Sequence, residues 1–139
     1  MAVARQLERS GIRARVDLGK LPPIVGSADQ FRQVLSNLVV NAKDSMPNGG
    51  QLILRTRHVP APDGVHGWVR IVVADSGTGI ARDLLQTMFE PFVSTKGEKG
   101  TGLGLWIVKG ILENHGGKLR VRSREAKGTI FKLELPVVR

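Results

Sequence analysis

Apolar positions along the chain switch between a period of two and a period of three to four, and each switch marks an element. Ile12, Ala14 and Val16 alternate with Arg13, Arg15 and Asp17 before Leu21-Pro22-Pro23 breaks the run, which predicts a strand and a turn. Ser27-Ala28-Asp29-Gln30 has capping-box spacing, and Phe31, Val34, Leu35, Leu38, Val39, Ala42 and Met46 follow at helical intervals up to Pro47-Asn48-Gly49-Gly50. This predicts a helix with a defined start and stop. Leu52, Leu54 and Thr56 alternate with Arg55 and Arg57, a Pro/Gly-rich loop is expected from His58 to Gly67, and Trp68 to Ala74 reads as a largely apolar strand. The pair predicts an antiparallel hairpin. Leu103, Ile107, Val108, Ile111 and Leu112 form a second amphipathic stripe, ended by His115-Gly116-Gly117. Leu119 and Val121, then Phe131, Leu133 and Leu135, alternate with charged residues on either side of a turn at Lys127-Gly128, predicting a second hairpin.

Strands with one apolar and one charged face require helices on the apolar side only, so the fold class is α+β, a two-layer α/β sandwich. With 139 residues and 41% hydrophobic content, residues 1–139 form one expected domain. No apolar run approaches the ~18 residues of a membrane span, and Met1 to Leu7 has no signal-peptide stretch, so a soluble, cytoplasmic domain without membrane contact is expected. There is no cysteine, and His58, His66 and His115 lie in separate segments, which argues against a structural metal. A formal charge of +9 favours anionic partners, but with 4% aromatic residues and no helicase, recombinase or RNA-recognition motif, nucleic acid is not expected among them. Arg13, Arg15, Arg55, Arg57, Arg70, Lys118, Arg120, Arg122 and Lys132 are expected on one sheet face, either solvated or docking an acidic partner.

The stretch GEKGTGLGLW carries four glycines in residues 97–104 and enters an apolar helix, a composition that lets backbone N–H groups close around phosphate. It is not a Walker loop, because Leu105 and Trp106 follow Gly104 where Lys-Ser or Lys-Thr is required, and no strand leads into Gly97 as a dinucleotide fingerprint demands. A plain surface loop is the alternative. Asn37 and Asn41 stand one helical turn apart, either simply solvated or offering one amide oxygen to Mg²⁺ and the other amide to a phosphate. Asp75 ends an apolar strand and enters Ser76-Gly77-Thr78-Gly79-Ile80; it either caps its own turn or accepts a hydrogen bond from a purine exocyclic amine, with Gly77 and Gly79 admitting the ring. Met88-Phe89-Glu90-Pro91-Phe92 reads as a hydrophobic anchor, or as the hinge of a lid from Val93 to Thr101. Lys96 and Lys99 are either solvated or positioned on phosphates.

These blocks in this order resemble the ATP-binding domain shared by sensor histidine kinases, DNA gyrase, the Hsp90 chaperones and MutL, the GHKL or Bergerat-fold family. QFRQVLSNLVVNAKDSMPNGG resembles the N box, VADSGTGI the G1 box, MFEPFVSTK the F box and GTGLGL the G2 box, while ENHGGKLRVRS and GTIFKLELP resemble the histidine-kinase tail. The resemblance implies a mixed, mostly antiparallel sheet with helices on one face, and ATP and Mg²⁺ as cofactors. It implies that Asn41 holds Mg²⁺, that Asn37 lies near the phosphates, and that Asp75, Gly77, Gly79, Ile80 and Thr129 receive the adenine. Gly100, Thr101, Gly102, Leu103 and Gly104 would shape the lid. Asp44 stands where many kinases have a cation, which shifts the phosphate clamp to Lys43, Lys96 or Lys99, with Lys96 and Asn37 as the catalytic candidates. Asn37 also occupies the position of the glutamate that activates water in hydrolytic relatives, so slow hydrolysis is expected. The Asp-Ser-Met pattern and the Ser-Thr-Lys ending resemble nitrogen- and oxygen-responsive kinases. The implied activity is transfer of the γ-phosphoryl group to a histidine on a separate dimerisation domain, with a response regulator downstream. None of the three histidines here has the setting of such an acceptor, so that domain is expected to be absent from the chain. The alternative is a nucleotide-binding regulatory module of the same fold without catalysis.

Overall fold

The computed structural model describes residues 7–24, 26–62, 66–90 and 104–137. Five strands form one sheet in the order β1-β2-β3-β5-β4: β1 Ile12–Leu18, β2 Gly50–Pro60, β3 Gly67–Asp75, β4 Lys118–Arg124 and β5 Gly128–Pro136. β1 pairs parallel with β2, and the other three ladders are antiparallel. Helix α1, Ala28–Asp44, makes the crossover that a parallel β1–β2 pair needs; α2, Arg82–Leu85, is a single turn; α3, Gly104–Asn114, leads into β4. Residues 7–9, which carry no element signal in the sequence reading, are helical, and Leu7 is buried.

Helix α1 begins where Ser27, in extended conformation, accepts the Gln30 N–H on its Oγ at 3.2 Å. It ends where the Ser45 N–H reaches the Asn41 and Ala42 carbonyls, and Gly49 then takes φ +88 to turn the chain into β2. Val34, Leu38 and Ala42 line its buried stripe and pack with Val108, Ile111 and Leu112 of α3 over the inward residues Leu52, Val73, Phe131, Leu133 and Leu135. His115 pins the two helices together at one end. Its Nδ1 lies 2.7 Å from the Ile111 carbonyl, its Nε2 accepts the Ser27 N–H at 3.3 Å, and its ring centroid lies 4.6 Å from that of Phe31.

Two features depart from the sequence reading. The loop expected from His58 is shorter, because the β2–β3 ladder continues through His58↔Val69 and Val59↔Trp68 to Pro60↔Gly67, and His58 Nε2 bonds the His66 carbonyl at 3.2 Å. Alternation in β1 promises burial of Val16, yet only Ile12 of that strand is buried and Val16 is 58% exposed. β1 is an edge strand, and every residue of it after Ile12 is exposed.

Candidate functional site

The carboxyl ends of α1 and β3, the turn 76–80 and the start of β5 enclose a cavity of ≈ 500 Å³ lined by Asn41, Lys43, Asp75, Gly79, Ile80 and Thr129, among others. Asp75 and Thr129 are direct partners in the β3–β5 register and are the buried polar residues of the described chain, at 9% and 3% exposure. Asp75 Oδ1 accepts the Gly77 N–H at 2.8 Å. Ser45 Oγ lies 3.3 Å from the same oxygen but 2.8 Å from the Ala42 carbonyl, so its single proton is shared in favour of Ala42. Burial pushes the Asp75 pKa above 3.8, and the bonds from Gly77, Ser45 and the Thr129 backbone act in the opposite direction without cancelling it. A desolvated carboxylate whose internal donors do not offset its burial is suited to a donor brought by a ligand.

The turn is held from both sides. The Thr78 N–H reaches the Ser45 carbonyl at 2.9 Å, and the Thr78 carbonyl accepts the Ala126 N–H at 2.7 Å. A Cβ at Gly77 would collide with Ser45, and one at Gly79, which has φ +75, would collide with the Arg124 carbonyl. The sequence reading gave these glycines to an approaching ring; the chain's own packing already requires them.

Asn37 and Asn41 project from α1 one turn apart, but they have different surroundings. Asn37 Nδ2 donates to the Gly104 carbonyl at 3.3 Å, tying α1 to the first residue of α3. Asn41 lines the cavity, and its side-chain amide has no hydrogen-bond partner among the described residues. Lys43 and Asp44 lie beside it at the cavity wall. Among the described residues no cluster of three His, Cys, Asp or Glu could hold a metal ion by itself. One free amide oxygen in a cavity also lined by Lys43, Asp44 and Asp75 fits Mg²⁺, which keeps several waters and takes further oxygens from substrate phosphates. Lys96, Lys99, Gly100, Thr101, Gly102 and Leu103, with the Pro91-Phe92 part of the expected anchor, lie outside the described residues. Met88, the other end of that anchor, is buried in the core.

Ser45 and Ser123 were missed as site residues. Ser123 Oγ accepts the Ile80 N–H at 2.7 Å and also contacts the Gly128 carbonyl at 3.0 Å and Thr129 Oγ1 at 2.8 Å. Its signal was available in the sequence: two positions beyond Val121, it puts a hydroxyl on the inward face of a strand that otherwise turns apolar residues inward.

Residues 26–139 match the family described as histidine kinase-, DNA gyrase B- and HSP90-like ATPases. The chain belongs to this family. Sensor kinase CckA of Brucella abortus is 44% identical over 147 residues, a match covering 98% of this chain and 15% of that protein. The catalytic domain of histidine kinase ThkA shares the fold with a TM-score of 0.82 at 30% identity, over 97% of this chain and 86% of that one. ShkA, solved at full length in complex with AMPPNP, has a TM-score of 0.78 at 30% identity and covers 96% of this chain, which spans 29% of ShkA. Fold and relatives alike are those of the catalytic, ATP-binding domain of sensor histidine kinases. Among the described residues no helix is long and apolar enough to cross a membrane.

Proposed function

We propose that this histidine-kinase-family chain binds Mg-ATP in the Asp75 cavity and donates the γ-phosphoryl group to a histidine on a separate dimerisation domain, which then serves a response regulator. The observation that carries this reading is the desolvated Asp75 carboxylate in a ≈ 500 Å³ cavity shared with Asn41 and Lys43. Asp75 accepts a hydrogen bond from the adenine exocyclic amine, while Ile80 and Thr129 border the ring. Asn41 contributes an oxygen to Mg²⁺, which neutralises phosphate charge when bound, and Lys43 supplies a cation at the same wall. Lys96 and Lys99 keep the phosphate-binding role implied by the resemblance.

In the transfer, an imidazole nitrogen of the acceptor attacks the γ-phosphorus, the bond from that phosphorus to the β–γ bridging oxygen breaks, ADP leaves, and the imidazole proton passes to solvent. Such a step needs mainly positioning and charge stabilisation. Asn37 has no basic group with which to activate water, and its amide is already engaged with the Gly104 carbonyl, which agrees with slow hydrolysis. The AMPPNP complex of ShkA supports the nucleotide assignment by likeness.

Calorimetric titration with ATP in the presence of Mg²⁺ tests the site. One ATP is expected per chain, with affinity about 10- to 100-fold weaker in Asp75→Asn, where a donor amide replaces an acceptor opposite the adenine amine. Unchanged affinity in the folded variant would remove Asp75 from the site.

A further inference from the structure

The hydroxyl of Ser123 has three polar neighbours: the Ile80 N–H at 2.7 Å, the Gly128 carbonyl at 3.0 Å and Thr129 Oγ1 at 2.8 Å. A hydroxyl has one proton and two lone pairs. Ile80 N–H can only donate and the Gly128 carbonyl can only accept, so one arrangement satisfies all three contacts. In it Ser123 donates to Gly128 and accepts from both Ile80 and Thr129. The Thr129 proton is thereby turned toward Ser123, and the lone pairs left on Thr129 Oγ1 can only accept. Thr129 faces Asp75 across the β3–β5 ladder, and both line the same cavity. An ionised Asp75 also only accepts.

We infer that Ser123 is a positioning residue that sets the base specificity of the nucleotide site by holding the Thr129 proton away from the cavity. The paired acceptors Asp75 and Thr129 then match the two protons of an exocyclic amine and reject a carbonyl at the same ring position. The inference rests on the ATP-site reading above. A 6-oxo purine sets its oxygen against two acceptors with no proton between them, and unpaired polar groups of this kind give strong discrimination. Without the Ser123 oxygen, the Thr129 hydroxyl turns and donates to that carbonyl.

The test compares ATP with ITP, which carries oxygen in place of the 6-amine, by calorimetry in Mg²⁺ on the wild-type chain, Ser123→Ala, Ser123→Thr, Thr129→Val and the Ser123→Ala/Thr129→Val double variant. Ser123→Ala is expected to narrow the preference for ATP about fivefold, the size of one hydrogen bond, and Ser123→Thr to restore it. Thr129→Val, which keeps the shape and removes the oxygen, should narrow it too, and Ser123→Ala should then have no further effect on the ratio. Thr129→Val reads the same contact if Ser123→Ala does not fold. Equal loss of both nucleotides in Ser123→Ala, or a change of ratio that persists in the Thr129→Val background, would overturn the inference. ATP binding with an unmoved ratio in every variant overturns this inference alone; a folded wild-type chain that binds neither nucleotide overturns the site reading with it.

Discussion

Asp75 combines 9% exposure with a pKa raised above 3.8 by burial, so the folded chain holds this proton more readily than the unfolded chain does. The stability linked to it is complete below 3.8 and is lost as pH rises through the elevated folded-state value. At neutral pH the empty site therefore carries a destabilising carboxylate. Asp75→Asn is expected to melt higher than wild type at neutral pH in thermal unfolding without nucleotide, with the advantage fading as pH falls through the raised folded-state value and gone by 3.8, even as ATP affinity drops. An unchanged or lower melting temperature at neutral pH would contradict the desolvation argument. Asp75 and Asn41 stood out in the sequence from the chemistry of their own motifs, and Thr129 from the family resemblance. The partners of Ser45 and Ser123 were not legible there, because these contacts arise from segments that meet only in the fold, |i−j| = 30 for Ser45–Asp75 and |i−j| = 43 for Ile80–Ser123.

The elements read from hydrophobic period correspond closely to those observed, since α1 and the four antiparallel strands each turn one apolar stripe, buried or partly buried, toward the core. Helix α1 supplies the cavity wall, so its stability and the site are linked. Leu38, fully buried on the stripe between the two asparagines, is expected to cost about 2–5 kcal/mol when cut to Ala, while Ser27→Ala should remove the N-cap for about 1 kcal/mol. Denaturant unfolding of both variants checks the order; a larger loss for Ser27→Ala would mean that the N-cap rather than the stripe anchors the helix. What the period could not give is equally local. The single turn of α2 is too short to show one, and the exposure of Val16 depends on which strand lies at the sheet edge.

Across the whole molecule, the ladders place Arg15, Ile53, Ala74, Ile130 and Arg122 in one row, and Asp17, Arg55, Val72, Lys132 and Arg120 in the next row of the same face. This is the open face, opposite the inward Leu52, Val73 and Phe131, and it holds the basic residues expected there. Among the described residues its ion pairs are Arg55–Asp17 at 3.5 Å and Arg70–Glu134 at 3.3 Å. A face on the far side of the sheet and screened by solvent should contribute little to ATP binding. Replacing Arg15, Arg57, Arg120 and Arg122 with Gln is expected to leave ATP affinity within about twofold at moderate salt, as calorimetry would measure, because the Debye length is about 10 Å. A larger loss would show that the face acts on the cavity.

The central claim is that this chain carries ATP to an acceptor histidine it does not itself provide. His115 is engaged at both ring nitrogens between Ile111 and Ser27, and His58 bonds the His66 carbonyl, so neither is presented to a γ-phosphate. The decisive measurement is incubation with γ-labelled ATP and Mg²⁺, with and without a separate helical hairpin carrying the phosphoacceptor histidine of a sensor histidine kinase that this chain is shown to dock. The account predicts acid-labile label on the hairpin, none on the chain, and little free phosphate without the hairpin. Label on the chain alone, rapid phosphate release without an acceptor, or tight ATP binding with an unlabelled hairpin would contradict it.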